Sequence, residues 1–185
     1  MIDALVVIVI TLSFVVLFEL FLGLVFPQTV QTTFVRGKSL GQREDMLGHT
    51  NRSGSRTIQT GPEFSAEFKI SPEGLRDETV HHNPKPPNQT RVLLLGDSFT
   101  FGSGNNYDDI WPVRFERNLI RSGYNVDVVK AGVCEYDTTV ELRFLERLFP
   151  KYQPDVVVFV FLPNDLFTNT PIGEPTYLQQ KYSAD

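Results

Sequence analysis

Three patterns of apolar and polar positions divide the chain. The first is unbroken: residues 4–26 read ALVVIVITLSFVVLFELFLGLVF, with Glu19 as their single charge. A helix that crosses a bilayer needs about 20 such residues, so this run predicts a transmembrane helix behind a short leader, residues 1–3. A cleavable signal peptide is the competing reading. It fits less well, because a positive n-region is missing and the apolar core is long. Glu19 sits toward the carboxyl end of the run, where a carboxylate can reach the interface or take up a proton.

The second pattern is alternation. Phe64, Ala66, Phe68 and Ile70 fall on one face of residues 63–70, as in a half-buried strand, and residues 56–60 offer a partner. Before them, residues 27–55 are polar with weak periodicity and read as a juxtamembrane linker. After them, the turn-rich Ser71-Pro72-Glu73-Gly74-Leu75-Arg76-Asp77 suggests a bend pinned by a local Arg76–Asp77 ion pair. His81 and His82 then precede Asn83-Pro84-Lys85-Pro86-Pro87-Asn88. Such dense prolines predict an extended, exposed linker, and neither histidine receives a role. Residues 56–90 thus form a small β-containing arm and a Pro-rich linker.

The third pattern alternates apolar runs with helical spacing. Val92 to Leu95 run into Gly96, as in a buried strand that ends in a turn. Residues 108–122 carry Ile110, Trp111, Phe115, Leu119 and Ile120 at helical intervals, with Pro112 in the first turn and Gly123 past the end. Trp111 is expected as a core anchor. Residues 125–129 read as a second strand and residues 138–149 as a second helix, bounded by Pro150 and Pro154. Residues 155–162, DVVVFVFL, read as a strand buried on both faces. Strand, helix, strand, helix, strand argues a parallel α/β sheet with right-handed crossovers.

Composition narrows the chemistry. A net charge of -5 gives no broad basic footprint for nucleic acid. Cys134 is the only cysteine, which excludes an intrachain disulfide, and the three histidines make no metal-ligand cluster with it. Ligands of open parallel sheets sit beyond the carboxyl ends of the strands. Ser98, just past Gly96-Asp97, would project there as a nucleophile; the plainer reading is a strand-to-helix turn capped by Asp97 or Ser98. Asn164 and Asp165 follow the third strand on the same rim, where a turn or cap is again the plainer reading. Cys134 is a poor nucleophile candidate, since no histidine follows it. No P-loop spacing is present.

Gly96-Asp97-Ser98-Phe99-Thr100-Phe101-Gly102 resembles the first block of the SGNH (GDSL) hydrolases. Asn164-Asp165 is similar to the family's Gly-x-Asn-Asp block, with Pro163 just before the asparagine. Lys130-Ala131-Gly132-Val133-Cys134-Glu135-Tyr136 is similar to its Asn-Ala-Gly-Val-x-Gly-Tyr block, with Glu135 at the glycine position. Gly74-Leu75-Arg76-Asp77 looks like a stretch found in some anchored members. The resemblance covers residues 91–169 and implies a serine ester hydrolase or acyl hydrolase. Ser98 would be the nucleophile; the amides of Ser98 and Glu135 and the side chain of Asn164 would hold the oxyanion. Gly96, Asp97 and Asp165 would support the rim. It implies no metal and no organic cofactor, and a small-molecule, carbohydrate or lipid ester as substrate.

The implied fold is a flavodoxin-like three-layer α/β sandwich with strand order 2-1-3-4-5. Residues 91–185 would hold its first three strands, so the SGNH domain is expected to be incomplete at the carboxyl end. The family's Asp-x-x-His block is missing, and no histidine follows His82. The chain is therefore expected to be the amino-terminal part of an anchored SGNH protein, inactive as it stands. A non-catalytic membrane-anchored binding module is the rival reading. Arg36, Lys38 and Arg43 after the helix favour a cytoplasmic domain by the positive-inside rule. The resemblance favours the extracytoplasmic side, since many anchored members act on envelope or extracellular esters. Oligomeric state is left open.

Overall fold

A computed structural model describes residues 2–26, 34–37, 40–61 and 64–165. Expectations for residues 27–33, 38–39, 62–63 and 166–185 lie outside the described residues, among them the start of the alternating strand at Glu63 and the tail of the last domain. The chain divides into two units, residues 1–32 and 33–185. The first holds α1 (Ile2–Val25). Its Ala4–Val25 stretch is long and apolar enough to cross a membrane, a property that a signal sequence shares.

In the second unit, three parallel strands form the central sheet: β6 (Thr90–Gly96), β7 (Val126–Gly132) and β8 (Val156–Val160). Their order is β7-β6-β8, which is the expected 2-1-3. β6 pairs with β7 from Thr90↔Val126 to Gly96↔Gly132, and with β8 from Val92↔Val156 to Gly96↔Val160. All three strands therefore end on one rim. Helix α3 (Trp111–Arg121) and helix α4 (Thr138–Tyr152) make the two crossovers. Alternation along β6 sends Leu93 and Leu95 to one face, where Val140, Phe144, Leu148 and Tyr152 of α4 cover them. Val92 and Leu94 face the other side, against Val128 and Phe115 of α3. Each fully buried leucine contributes about 1.5–3 kcal/mol, so β6 is the best-anchored strand.

Two small antiparallel sheets precede this core. β1 (Phe34–Gly37), β4 (Arg56–Thr60) and β5 (Ser65–Lys69) pair in the order β1-β4-β5. The expected pairing of residues 56–60 with the alternating strand is present, from Arg56↔Lys69 to Thr60↔Ser65. β2 (Gly41–Glu44) pairs with β3 (Gly48–Asn51). Residues 34–37 and 40–51 thus differ from the linker expected of them. Backbone pairing holds these polar strands, and Leu47 at the hairpin turn enters the main core at 1 % exposure. One buried leucine among polar residues leaves no periodicity to read.

Other elements also depart from expectation. Trp111 lies half out of the fold and touches Phe115 edge-on, while Pro112 and Val113 make the buried face of α3. α4 runs through Pro150 to Tyr152, and Gln153 ends it in the left-handed region at φ 45°. β8 is only half buried: Val156 and Phe159 are exposed because it is the outer strand of the described sheet.

The Pro-rich region differs most. His81 is buried, and a carboxylate holds each ring nitrogen: Asp127 Oδ1 is 2.7 Å from Nδ1 and Asp77 Oδ2 is 2.9 Å from Nε2. Asp127 also accepts from Arg91 Nε at 2.7 Å. Asp77 also accepts from the Lys130 amide at 3.0 Å and the Tyr107 hydroxyl at 2.9 Å. Lys130 Nζ lies between Asp77, at 3.2 Å, and Glu116, at 2.8 Å. The side chains of His81, Asp77, Arg91 and Lys130 are each 1 % exposed. Burial opposes charge on His81, yet the carboxylates of Asp127 and Asp77 outweigh it and lift its pKa from 6.5 to about 9. Burial also opposes the Asp77 charge, but His81 and Lys130 draw its pKa down to about 2. Proline density signalled exposure correctly for His82, whose carbonyl accepts from Arg91. It could not signal partners 46 residues away.

Candidate active site

The rim is built around one short turn. Asp97 caps helix α2 (Ser98–Phe101), its Oδ1 accepting from the Phe99 amide at 2.9 Å. Gly102 closes the helix at φ 79°. Two glycines let this turn sit against the sheet. A Cβ on Gly96 would lie 2.0 Å from Thr100 Oγ1, and one on Gly132 would lie 2.3 Å from the Phe101 amide nitrogen. At Gly132 the obstacle is backbone, which leaves room only for glycine; at Gly96 it is the side chain of Thr100. The loop after β7 is tied in as well, with the Val133 amide donating to Gly96 O at 3.0 Å.

Ser98 is half-buried, and its Oγ lies 3.5 Å from Asp97 Oδ2. The Asn164 side chain, from beyond the end of β8, also hydrogen-bonds Asp97. Burial raises the Asp97 pKa and the nearby Asp165 charge adds to this, against the hydrogen bonds from Phe99, Asn164 and Ser98. Asp165 is buried, and its Oδ2 accepts from the Leu162 amide at 3.1 Å and the Thr138 hydroxyl at 3.2 Å. Ser98, Asp97, Asn164 and Asp165 thus meet at the adjacent carboxyl ends of β6 and β8.

Glu135 stands on the loop after β7, exposed, with φ at 66°. Its neighbour Cys134 is a neutral thiol: burial pushes its pKa up, and the Asp97 and Glu135 charges push the same way. The reach of the Asp97 charge to Cys134 reflects how close the β7 loop lies to the Asp97 turn. A positive φ at a non-glycine residue is uncommon. The backbone at Glu135 has the conformation a glycine would serve.

Sequence reasoning missed one buried group and gave another the wrong partner. Glu141 lies on the core face of α4 at 1 % exposure, and burial together with Asp165, Asp97 and Asp137 lifts its pKa to about 8. Glu141 therefore carries a proton near neutral pH. Its spacing of three and seven from Phe144 and Leu148 was the available signal. Among the described residues no group of three or more His, Cys, Asp or Glu has an arrangement that could hold a metal ion. The second is Arg76, which makes no ion pair with Asp77. Its guanidinium instead donates to the carbonyls of Phe101 and Gly102, each at 2.7 Å, and of Asn105 at 2.5 Å.

Residues 94–181 match the model of the GDSL-like lipase/acylhydrolase family. This segment is a GDSL-like lipase/acylhydrolase domain. A search of curated proteins returns no match. Among solved structures, the chain is similar to TesA, with 26 % identity over 41 % of this chain and 42 % of that one, at a TM-score of 0.40. It is also similar to AlinE4, an SGNH-hydrolase family esterase, with 24 % identity over 45 % of each chain and a TM-score of 0.40. The match spans less than half the length of either structure. In the GDSL-like domain, the turn of Asp97 and Ser98 lies inside the matched region, as do Glu135, Glu141, Asn164 and Asp165. Arg76, Asp77 and His81 lie ahead of it.

Proposed function

We propose that the GDSL-like domain serves hydrolysis or transfer of an acyl group from an oxygen ester, with Ser98 as nucleophile. Ser98 Oγ attacks the ester carbonyl, and the developing oxyanion is met by the amides of Ser98 and Glu135 and by the side chain of Asn164. Each such donor is typically worth about 10²–10³-fold in rate. The observation that supports this reading best is the hydrogen bond from Asn164 to Asp97, which links the end of β8 to the nucleophile turn.

A base must accept the Ser98 proton, a contribution of about 10²–10⁴-fold. His81 is unsuited to it: both ring nitrogens are engaged, and its pKa of about 9 keeps it protonated. It also bonds Asp127, opposite Arg91 at the entry of β6, whereas Ser98 follows the exit. The chain as it stands should therefore turn over esters negligibly. The exposed carboxylate of Glu135 favours a second reading, a non-catalytic binding module on the same rim. We place the domain on the extracytoplasmic side of a membrane that α1 spans; protease protection of the domain in spheroplasts would contradict this.

Turnover of p-nitrophenyl acetate by the purified chain, by its Ser98→Ala variant, and by a chain extended with an Asp-x-x-His segment tests the reading. Activity that appears only on extension, and disappears with Ser98→Ala, supports it. Turnover that Ser98→Ala leaves unchanged in the extended chain rejects Ser98 as nucleophile, and an extended chain that folds but shows no turnover rejects the reading in favour of the binding module.

A further inference from the structure

The antiparallel arm is fastened to the Ser98 turn from behind. α2 is a single helical turn, held by amides of Phe101, Gly102 and Ser103 that donate to Asp97 and Ser98 carbonyls at 2.8–3.0 Å. One turn does not persist unaided, because nucleation costs more than so few bonds return. Its last carbonyls have no partner within the helix. Arg76 supplies that partner for Phe101, and it shares the Gly102 carbonyl with the Asn105 amide, which donates at 3.1 Å. One guanidinium nitrogen, Nη1, takes both the Phe101 and Gly102 carbonyls; Nη2 takes Asn105 O and, at 3.4 Å, Glu67 O of β5. The guanidinium also lies over the rings of Phe68, at 4.4 Å, and Phe101, at 5.1 Å. Asn106 adds a second tie, its Oδ1 accepting from the Glu67 amide at 3.2 Å.

Filling this space does not require a charge, and burying one is costly unless it is well bonded. Arg76 is 2 % exposed, and its hydrogen bonds go to carbonyl dipoles. A planar fork can meet several carbonyls at once; a lysine ammonium on a flexible stem cannot hold the same set. A cation is also favoured at a helix carboxyl end. We propose that Arg76 is a positioning residue that fixes the orientation of the Ser98 turn, so that the arm, through β5, sets the geometry of the nucleophile. The proposal rests on the reading of Ser98 as nucleophile, but the turn's order can be measured without any chemistry.

The test is amide hydrogen exchange by NMR on the full chain in detergent, wild type against Arg76→Lys. The expected result is exchange about tenfold faster or more at Gly102 and Ser103, with Leu94 and Val129 unchanged. Equal exchange at all four, or a uniform acceleration that marks general loosening, overturns it. If Arg76→Lys does not fold, the wild type decides. Arg76 Nη protons that exchange much more slowly than those of the exposed Arg52 support the proposal, and equal rates overturn it. Ester turnover plays no part in this measurement, so rejection of the esterase reading and rejection of the Arg76 tie are separate results.

Discussion

His81 makes the domain's stability depend on alkaline pH. The perturbation is His81→Gln, which keeps a polar side chain between Asp77 and Asp127 but removes the charge. A histidine whose pKa rises from 6.5 in the unfolded chain to about 9 in the fold contributes about 3 kcal/mol while it is protonated in both states. The sign follows from the raised value. The contribution is complete below pH 6.5, declines by about 1.4 kcal/mol per pH unit above it, and is gone past about pH 9. Glu141, with its pKa lifted from 4.5 to about 8, also costs stability as pH rises, but it does so in both proteins and cancels in their difference. Urea unfolding of the two chains, followed by circular dichroism at several values between about pH 6 and 10, gives that difference. The variant should be less stable by about 3 kcal/mol at the acidic end, and the gap should close toward the alkaline end. A gap that stays constant across the range, or widens, would show that the His81 charge is not what joins these segments.

Three further outcomes follow from the rim and the anchor. Glu135→Gly should stabilise the fold by about 0.5–1 kcal/mol, the relief of a left-handed residue less the entropy of glycine, while Glu135→Val should destabilise it; denaturation midpoints distinguish the two. Gly132→Ala must displace the α2 backbone, since its Cβ would lie 2.3 Å from the Phe101 nitrogen, and should cost about 1–3 kcal/mol with altered amide shifts at Ser98 and Phe99. Alkaline carbonate extraction should leave the chain in the membrane pellet through Ala4–Val25; release to the supernatant, or an amino terminus found beyond Phe26, would identify a cleaved signal sequence instead.

The parallel core was legible because its signals are local. The apolar run of β6, the turn at Gly96-Asp97-Ser98 and the spacing of Phe144 and Leu148 each lie within one element. The position of Asn164 on the rim was readable on the same grounds, from its place after an apolar strand. The arm was harder to read because its determinants are distant. Arg76 beside Asp77 suggests a local pair, yet the two side chains go separate ways, to the Ser98 turn and to β7. The family resemblance puts Glu135 at a glycine position, and its φ of 66° is a conformation that glycine adopts readily. β8 reads as a central strand from composition alone, because an apolar run records what a strand can bury and not how much of it the neighbouring residues cover.

The charged cluster around His81 also bears on exchange of parts between relatives. Asp77 and His81 come from the segment after the arm, Arg91 from β6, Asp127 and Lys130 from β7, and Glu116 from α3. A graft that carries the arm with the Asp77–His81 segment, but not the sheet, would bring Asp77 and His81 into a recipient without Lys130 and Asp127. The donor's remaining sheet would keep Lys130 without Asp77 and Asp127 without His81. Uncompensated buried charges are among the most destabilising changes a fold can suffer. The arm and the parallel sheet are therefore coupled through buried charge, and a chimera that respects only the apparent boundary at the prolines should fail to fold unless these six positions travel together.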